Sequence, residues 1–107
     1  MVFVAEQDGI PERELKAKLV EHFVRNRSLE SAFLVRVQYG NSEELKVALC
    51  LNVRRDVSLA RCAAAEFKQM FGSHESLDIL FLNRSQLQQI QRAAKPFYTR
   101  NPSESNL

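Results

Sequence analysis

The chain has 107 residues, 45% of them hydrophobic and 26% charged, with a formal net charge of +2. That length suits one continuous core and excludes a second domain, and the composition excludes a charge-dominated disordered chain. The mild positive charge excludes strong non-specific attraction to nucleic acid or anionic membrane, and no stretch approaches the ~20 apolar residues of a membrane span.

Val2-Phe3-Val4-Ala5 is a short β-prone run that ends at the turn signal Gln7-Asp8-Gly9, which predicts a first strand at an edge. Pro11 suits the first turn of a helix, and Glu12 and Glu14 fall where the positive end of the helix dipole favours carboxylates. A helix from about Pro11 to Asn26 is expected. Its stripe is Leu15, Leu19, Val20 and Phe23, opposite a wet face holding Arg13, Lys16, Glu21 and Arg25.

Ser31 to Tyr39 is rich in β-branched and aromatic residues, with Phe33, Val35, Val37 and Tyr39 projecting to one face of a second strand. Gly40-Asn41 tolerates positive φ and predicts a hairpin into a third strand, Glu44 to Val53. Leu45, Val47, Leu49, Leu51 and Val53 form its core face, and Lys46, Ala48, Cys50 and Asn52 a more open one.

Asp56 can cap a second helix whose apolar face is Ala60, Ala63, Ala64, Phe67, Met70 and Phe71, and Gly72 can end it. After the polar break Ser73-His74-Glu75-Ser76, the apolar run Leu77 to Leu82 predicts a well-buried fourth strand. Asn83 with Gln86 has the spacing of a capping box and opens a third helix bearing Leu87, Ile90, Ala93 and Ala94, which Pro96 closes. From Asn101 onward the chain has almost nothing to bury, so residues 101–107 are expected to be a mobile tail on a single domain of residues 1–100.

The resulting class is α+β: a four-stranded antiparallel sheet in ferredoxin-like βαββαβ order with an added C-terminal helix and right-handed crossovers. Two helices on one face leave the other needing a cover, supplied by the last helix or by a partner subunit.

The most distinctive local feature is Lys95-Pro96-Phe97-Tyr98-Thr99-Arg100, in which two large aromatics follow a helix stop. Their rings would be wasteful unless they bury area, either as a staple on the domain or against a partner. This segment resembles the Pro-Phe-Tyr ending of the C-terminal domain of SseB, the enhanced serine sensitivity protein. Ala32-Phe33-Leu34 and Leu77-Asp78-Ile79-Leu80 are similar to that family's Ala-aromatic and aspartate-bearing strands, so the resemblance spans roughly Val2 to Arg100. It implies that domain standing alone, without the N-terminal domain of larger SseB-like proteins, and it supplies no catalytic residues.

Chemistry-bearing patterns are few. Cys50 and Cys62 lack C-x-x-C or zinc spacing and are expected to be buried, reduced thiols in a cytoplasmic protein. The apolar start Met1 to Ala5 is too short for a signal-peptide core. His22 and His74 have no second ligand at metal spacing, so no metal and no cofactor are expected. Gly9, Gly40 and Gly72 are too scattered for a phosphate loop, and Glu43-Glu44 and Glu12 with Glu14 read as solvated charges. The third strand lacks the aromatics with which ferredoxin-like sheets stack RNA bases, which disfavours nucleic acid.

Arginine outnumbers lysine ten to five, and guanidinium suits planar anions. Arg54 and Arg55 before the second helix, with Arg36 and Arg61, are the candidates for holding an anion or ligand. Phe33, Val35, Val37, Tyr39, Phe97 and Tyr98 are the candidates for a partner interface. The expected function is a non-catalytic protein-interaction module, homo-oligomeric or bound to another protein through its sheet or last helix. The alternative is a regulatory domain for a small ligand such as an amino acid, its carboxylate held by Arg54, Arg55 or Arg61. An enzyme would need Cys50 or Cys62 as a nucleophile.

Overall fold

The computed structural model describes residues 1–41, 44–72 and 77–100. Expectations placed on Glu43, on His74 and the polar break around it, and on the tail 101–107 lie outside the described residues. Among the described residues the elements are β1 (Val2–Glu6), α1 (Ile10–Phe23), β2 (Ser31–Gln38), β3 (Leu45–Asn52), α2 (Val57–Phe71), β4 (Asp78–Phe81), α3 (Arg84–Ala93) and β5 (Tyr98–Thr99). No helix among them is long and apolar enough to cross a membrane.

The class is α+β, but the sheet is mixed and its order is β1-β2-β3-β4, with β5 paired to β2. β2 pairs antiparallel with β1 and β3, whereas β4 runs parallel to β3. This corrects the antiparallel, ferredoxin-like expectation: a split βαβ unit holds its parallel strands apart, and here β3 and β4 are direct neighbours. The reason on the other side lies in α1. Its last residue, Phe23, packs against Tyr98, whose strand partner is Ala32, so α1 delivers the chain to the end toward which β1 points and β2 must run back.

Two cores result, one on each sheet face. α1 and α2 cover the first, with Leu15, Leu19, Phe23, Leu59, Ala63 and Phe67 packed on Ala32, Leu34, Leu49 and Leu51. α3 covers the second, where Ile90 and the half-buried Leu87 lie with Phe3, Phe33, Val35, Val37, Ala48 and Cys50. The face of β3 expected to be more open is closed at Ala48 and Cys50, both fully buried under α3, and open at Lys46, while Leu45, expected on the core face, is exposed at the start of the strand. Strand β4 is half-buried throughout rather than well buried, since it lies at an edge, with β3 as its one strand partner among the described residues.

The caps follow the local chemistry. Asp56 accepts from Leu59 N at the start of α2, Gly72 ends that helix at φ 82°, and Asn83 with Gln86 forms both bonds of the capping box. Gly40 takes φ 55° after β2, as a left-handed turn position requires.

Lys16 departs from the wet face assigned to it. It is 8% exposed, with Nζ 3.0 Å from Glu6 Oε1 and 3.3 Å from Asp8 Oδ1, and it stands 5.9 Å from the Phe97 ring centre. Two carboxylates and an aromatic face replace the water that its ammonium gives up.

Strand β5 has no counterpart in the sequence reading. It is two residues long, yet Phe97 N donates to Ala32 O at 2.9 Å and Arg100 N to Glu30 O at 2.8 Å on either side of it. β2 thus carries β5 beside its first residues and β1 beside its last ones, both on the edge away from β3.

Candidate functional site

The two clefts described here meet at one pole of the molecule, where α1 ends, β3 leaves the sheet and α2 begins. The first, about 610 Å³, is lined by Ser28, Val53, Arg54, Arg55, Asp56 and Val57. The second, about 410 Å³, is lined by residues that include His22, Arg25, Asn26, Arg27, Asp56 and Cys62. Asp56 belongs to both.

Asn26 shapes the loop between them. Its Oδ1 accepts from Ser28 N at 3.0 Å and Leu29 N at 3.2 Å, a side-chain turn that redirects the chain after α1. Its Nδ2 donates to Asp56 Oδ2 at 3.2 Å, while Asp56 Oδ1 accepts from Leu59 N at 3.1 Å. One carboxylate therefore caps α2 and ties the end of α1 to it. Alongside, His22 Nε2 lies 3.0 Å from Glu66 Oε1, a second α1–α2 link.

Arg25, Arg27, Arg54 and Arg55 are exposed around these clefts. Among the described residues no carboxylate pairs with any of their side chains. A guanidinium without an internal partner keeps its donors available for an external carboxylate or phosphate. Arg100 is spent differently, bonding Glu30 Oε1 at 2.6 Å and the Arg27 carbonyl oxygen.

The predicted site residues divide. Arg54 and Arg55 line the first cleft, and Arg61 is exposed on α2, one turn past Val57. Arg36 is exposed on β2 opposite Val47, roughly 20 Å of strand away from Arg54. The fold does not bring it to the pole. Arg25, Asn26 and Arg27 join Asp56 in the second cleft through a contact, Asn26 to Asp56, that spans thirty residues of sequence and leaves no local mark. The one available signal was the turn-forming habit of Asn26.

The partner-interface candidates divide as well. Phe33, Val35 and Val37 lie under α3 and present no surface. Tyr39 is half-buried on that side and its hydroxyl donates to Asp78 Oδ2 at 2.7 Å; burial first, and then this bond, push its phenol up to about 12. Phe97 and Tyr98 pack into the α1/α2 core, both against Phe23.

The thiols separate. Cys50 is buried, and burial pushes its thiol up to about 12; Cys62 is exposed in the second cleft, correcting the expectation that both are buried. Cys62 lies on the flank of α2 and shares the lining of the second cleft with the core-packed Leu59. Among the described residues no group of three or more His, Cys, Asp or Glu side chains could hold a metal ion.

Compared with known families, residues 9–100 match the SseB protein C-terminal domain. No curated protein and no solved structure matches the chain.

Proposed function

The chain belongs to the SseB protein C-terminal domain family, and from that premise we propose that it is a non-catalytic protein-interaction module docking an acidic segment of a partner protein at its arginine-lined pole. The observation that carries this reading is the pair of adjoining clefts, lined by four arginines with which no carboxylate pairs among the described residues. Basic groups held without partners steer and hold an acidic partner, chiefly through on-rate and specificity. The test is fluorescence anisotropy with a labelled acidic peptide. Arg54→Glu with Arg55→Glu should weaken binding at least about tenfold with the melting temperature kept, and affinity should fall as salt rises. Equal binding by the double variant removes this reading.

A free amino acid in the first cleft is the second reading, supported by Arg54 and Arg55 standing beside Asp56, a cationic pair for its carboxylate and an anion for its ammonium. A thermal-shift series of amino acids without stabilisation removes it.

Self-association is the further part of the proposal. With α3 over the second sheet face, the surface that supports it is the strand end where exposed Val2 and Leu45 flank Gln38, with Met1 and Val4 also exposed on β1 and just before it. Sedimentation that shows a monomer at high concentration counts against this part alone.

A further inference from the structure

We propose that the pole selects a peptide in which two carboxylates flank a central cationic residue, an inference that rests on the docking reading above. Asp56 lines both clefts, so a ligand reaching from Arg54 and Arg55 to Arg25 and Arg27 must pass it. Both hydrogen bonds that Asp56 accepts come from neutral donors, Leu59 N and Asn26 Nδ2, and among the described residues no cation pairs with it. A carboxylate offers about four lone-pair sites, so acceptor capacity remains toward the clefts.

The pole is thus positive, negative, positive in sequence. An unbroken run of anionic groups gains the arginines and sets a like charge against Asp56, and such juxtaposition is how interfaces reject wrong partners. A polyphosphate meets the same obstacle. A peptide with a lysine between two glutamates instead places its ammonium at Asp56 and its carboxylates at the two arginine pairs.

The test uses the full chain and two labelled peptides of equal length, one with a Glu-Lys-Glu centre and one with Glu-Glu-Glu, plus tripolyphosphate as competitor. The wild-type protein should bind the Glu-Lys-Glu peptide about fivefold more tightly, in the range set by a few partly exposed charge pairs. Asp56→Asn should erase that preference. Asparagine caps a helix as well as aspartate does and keeps an acceptor for Leu59 N, so this variant gives up only the tie from Asn26 Nδ2, and an unchanged circular dichroism spectrum at the assay temperature checks that the fold is kept. Equal binding of the two peptides, an undiminished preference in Asp56→Asn, or stronger competition by tripolyphosphate than by unlabelled Glu-Lys-Glu peptide overturns the inference while leaving the docking reading in place. Failure of both peptides to bind overturns the docking reading as well.

Discussion

The Tyr98 ring meets the Phe23 ring edge-on at 5.6 Å, and the Tyr98 hydroxyl donates to the Phe23 carbonyl oxygen at 3.4 Å. Phe97 lies on the same ring at 6.0 Å, so the chain's last described strand closes the core that α1 opens. Tyr98→Ala should cost about 2 kcal/mol, less than for a fully buried aromatic because Tyr98 is half-buried, and Tyr98→Phe under about 1 kcal/mol. Urea denaturation checks both, and a wild-type midpoint for Tyr98→Ala would mean that the ring does not staple the chain end.

Arg13, and after it Lys16, hold the Asp8 carboxyl below its ordinary value of 3.8. Because the folded value is depressed, the stability that Asp8 adds is fully present above the unfolded value and is lost as pH falls through the folded one. Wild type and Asp8→Asn should therefore differ in melting temperature at neutral pH and converge in acid. A gap that stays constant down to pH 2 would contradict the linkage.

Tyr39 works in the opposite direction. Burial, then the hydrogen bond to Asp78, raises its phenol from 10.0 to about 12. The folded protein retains this proton longer than the unfolded chain does, so the associated stability is complete below pH 10 and disappears as pH climbs toward 12. The ultraviolet titration difference between wild type and Tyr39→Phe should show a midpoint near 12. Asp78→Asn, which keeps an acceptor and removes the charge, should lower that midpoint.

The two thiols should react separately. Ellman's reagent on the native protein should modify Cys62 and spare Cys50, which is fully buried with its thiol pushed up to about 12. Denaturant should release the second. Prompt reaction of both in the native state would show that α3 does not seal its face of the sheet.

Ile90 tests that seal from the other side, since it is the fully buried side chain of α3 and packs among Phe33, Val35, Val37 and Cys50. Ile90→Ala should cost about 2–4 kcal/mol, the range for removing a core aliphatic that leaves a cavity. Its native Cys50 should also become reactive sooner. Exposed Leu45 supplies the contrast, because Leu45→Ala should move stability by less than about 1 kcal/mol.

Much of the local structure was legible. The spacing of Leu15, Leu19 and Phe23 specified the buried side of α1, and Phe33, Val35, Val37 and Tyr39 do share one face of β2. Asp56, Gly72 and the Asn83–Gln86 pair marked helix ends because capping is settled within three or four residues. Lys16 was misread for the complementary reason: its place on the helix suggested water, while Glu6, Asp8 and Phe97 come from other elements. The site divides in the same way, with Arg54 and Arg55 visible beside a cap and Arg25 and Arg27 invisible beside nothing.

Periodicity and capping, which act between near neighbours, determined where strands and helices lie and which side of each is apolar. Strand order is settled by how far each helix carries the chain before the next strand enters, and cover by which helix reaches which face. Those are distances across the folded molecule. They decided that β4 lies parallel beside β3, that α3 rather than a second chain lies over Phe33 and Val35, and that Asp56 lines both clefts.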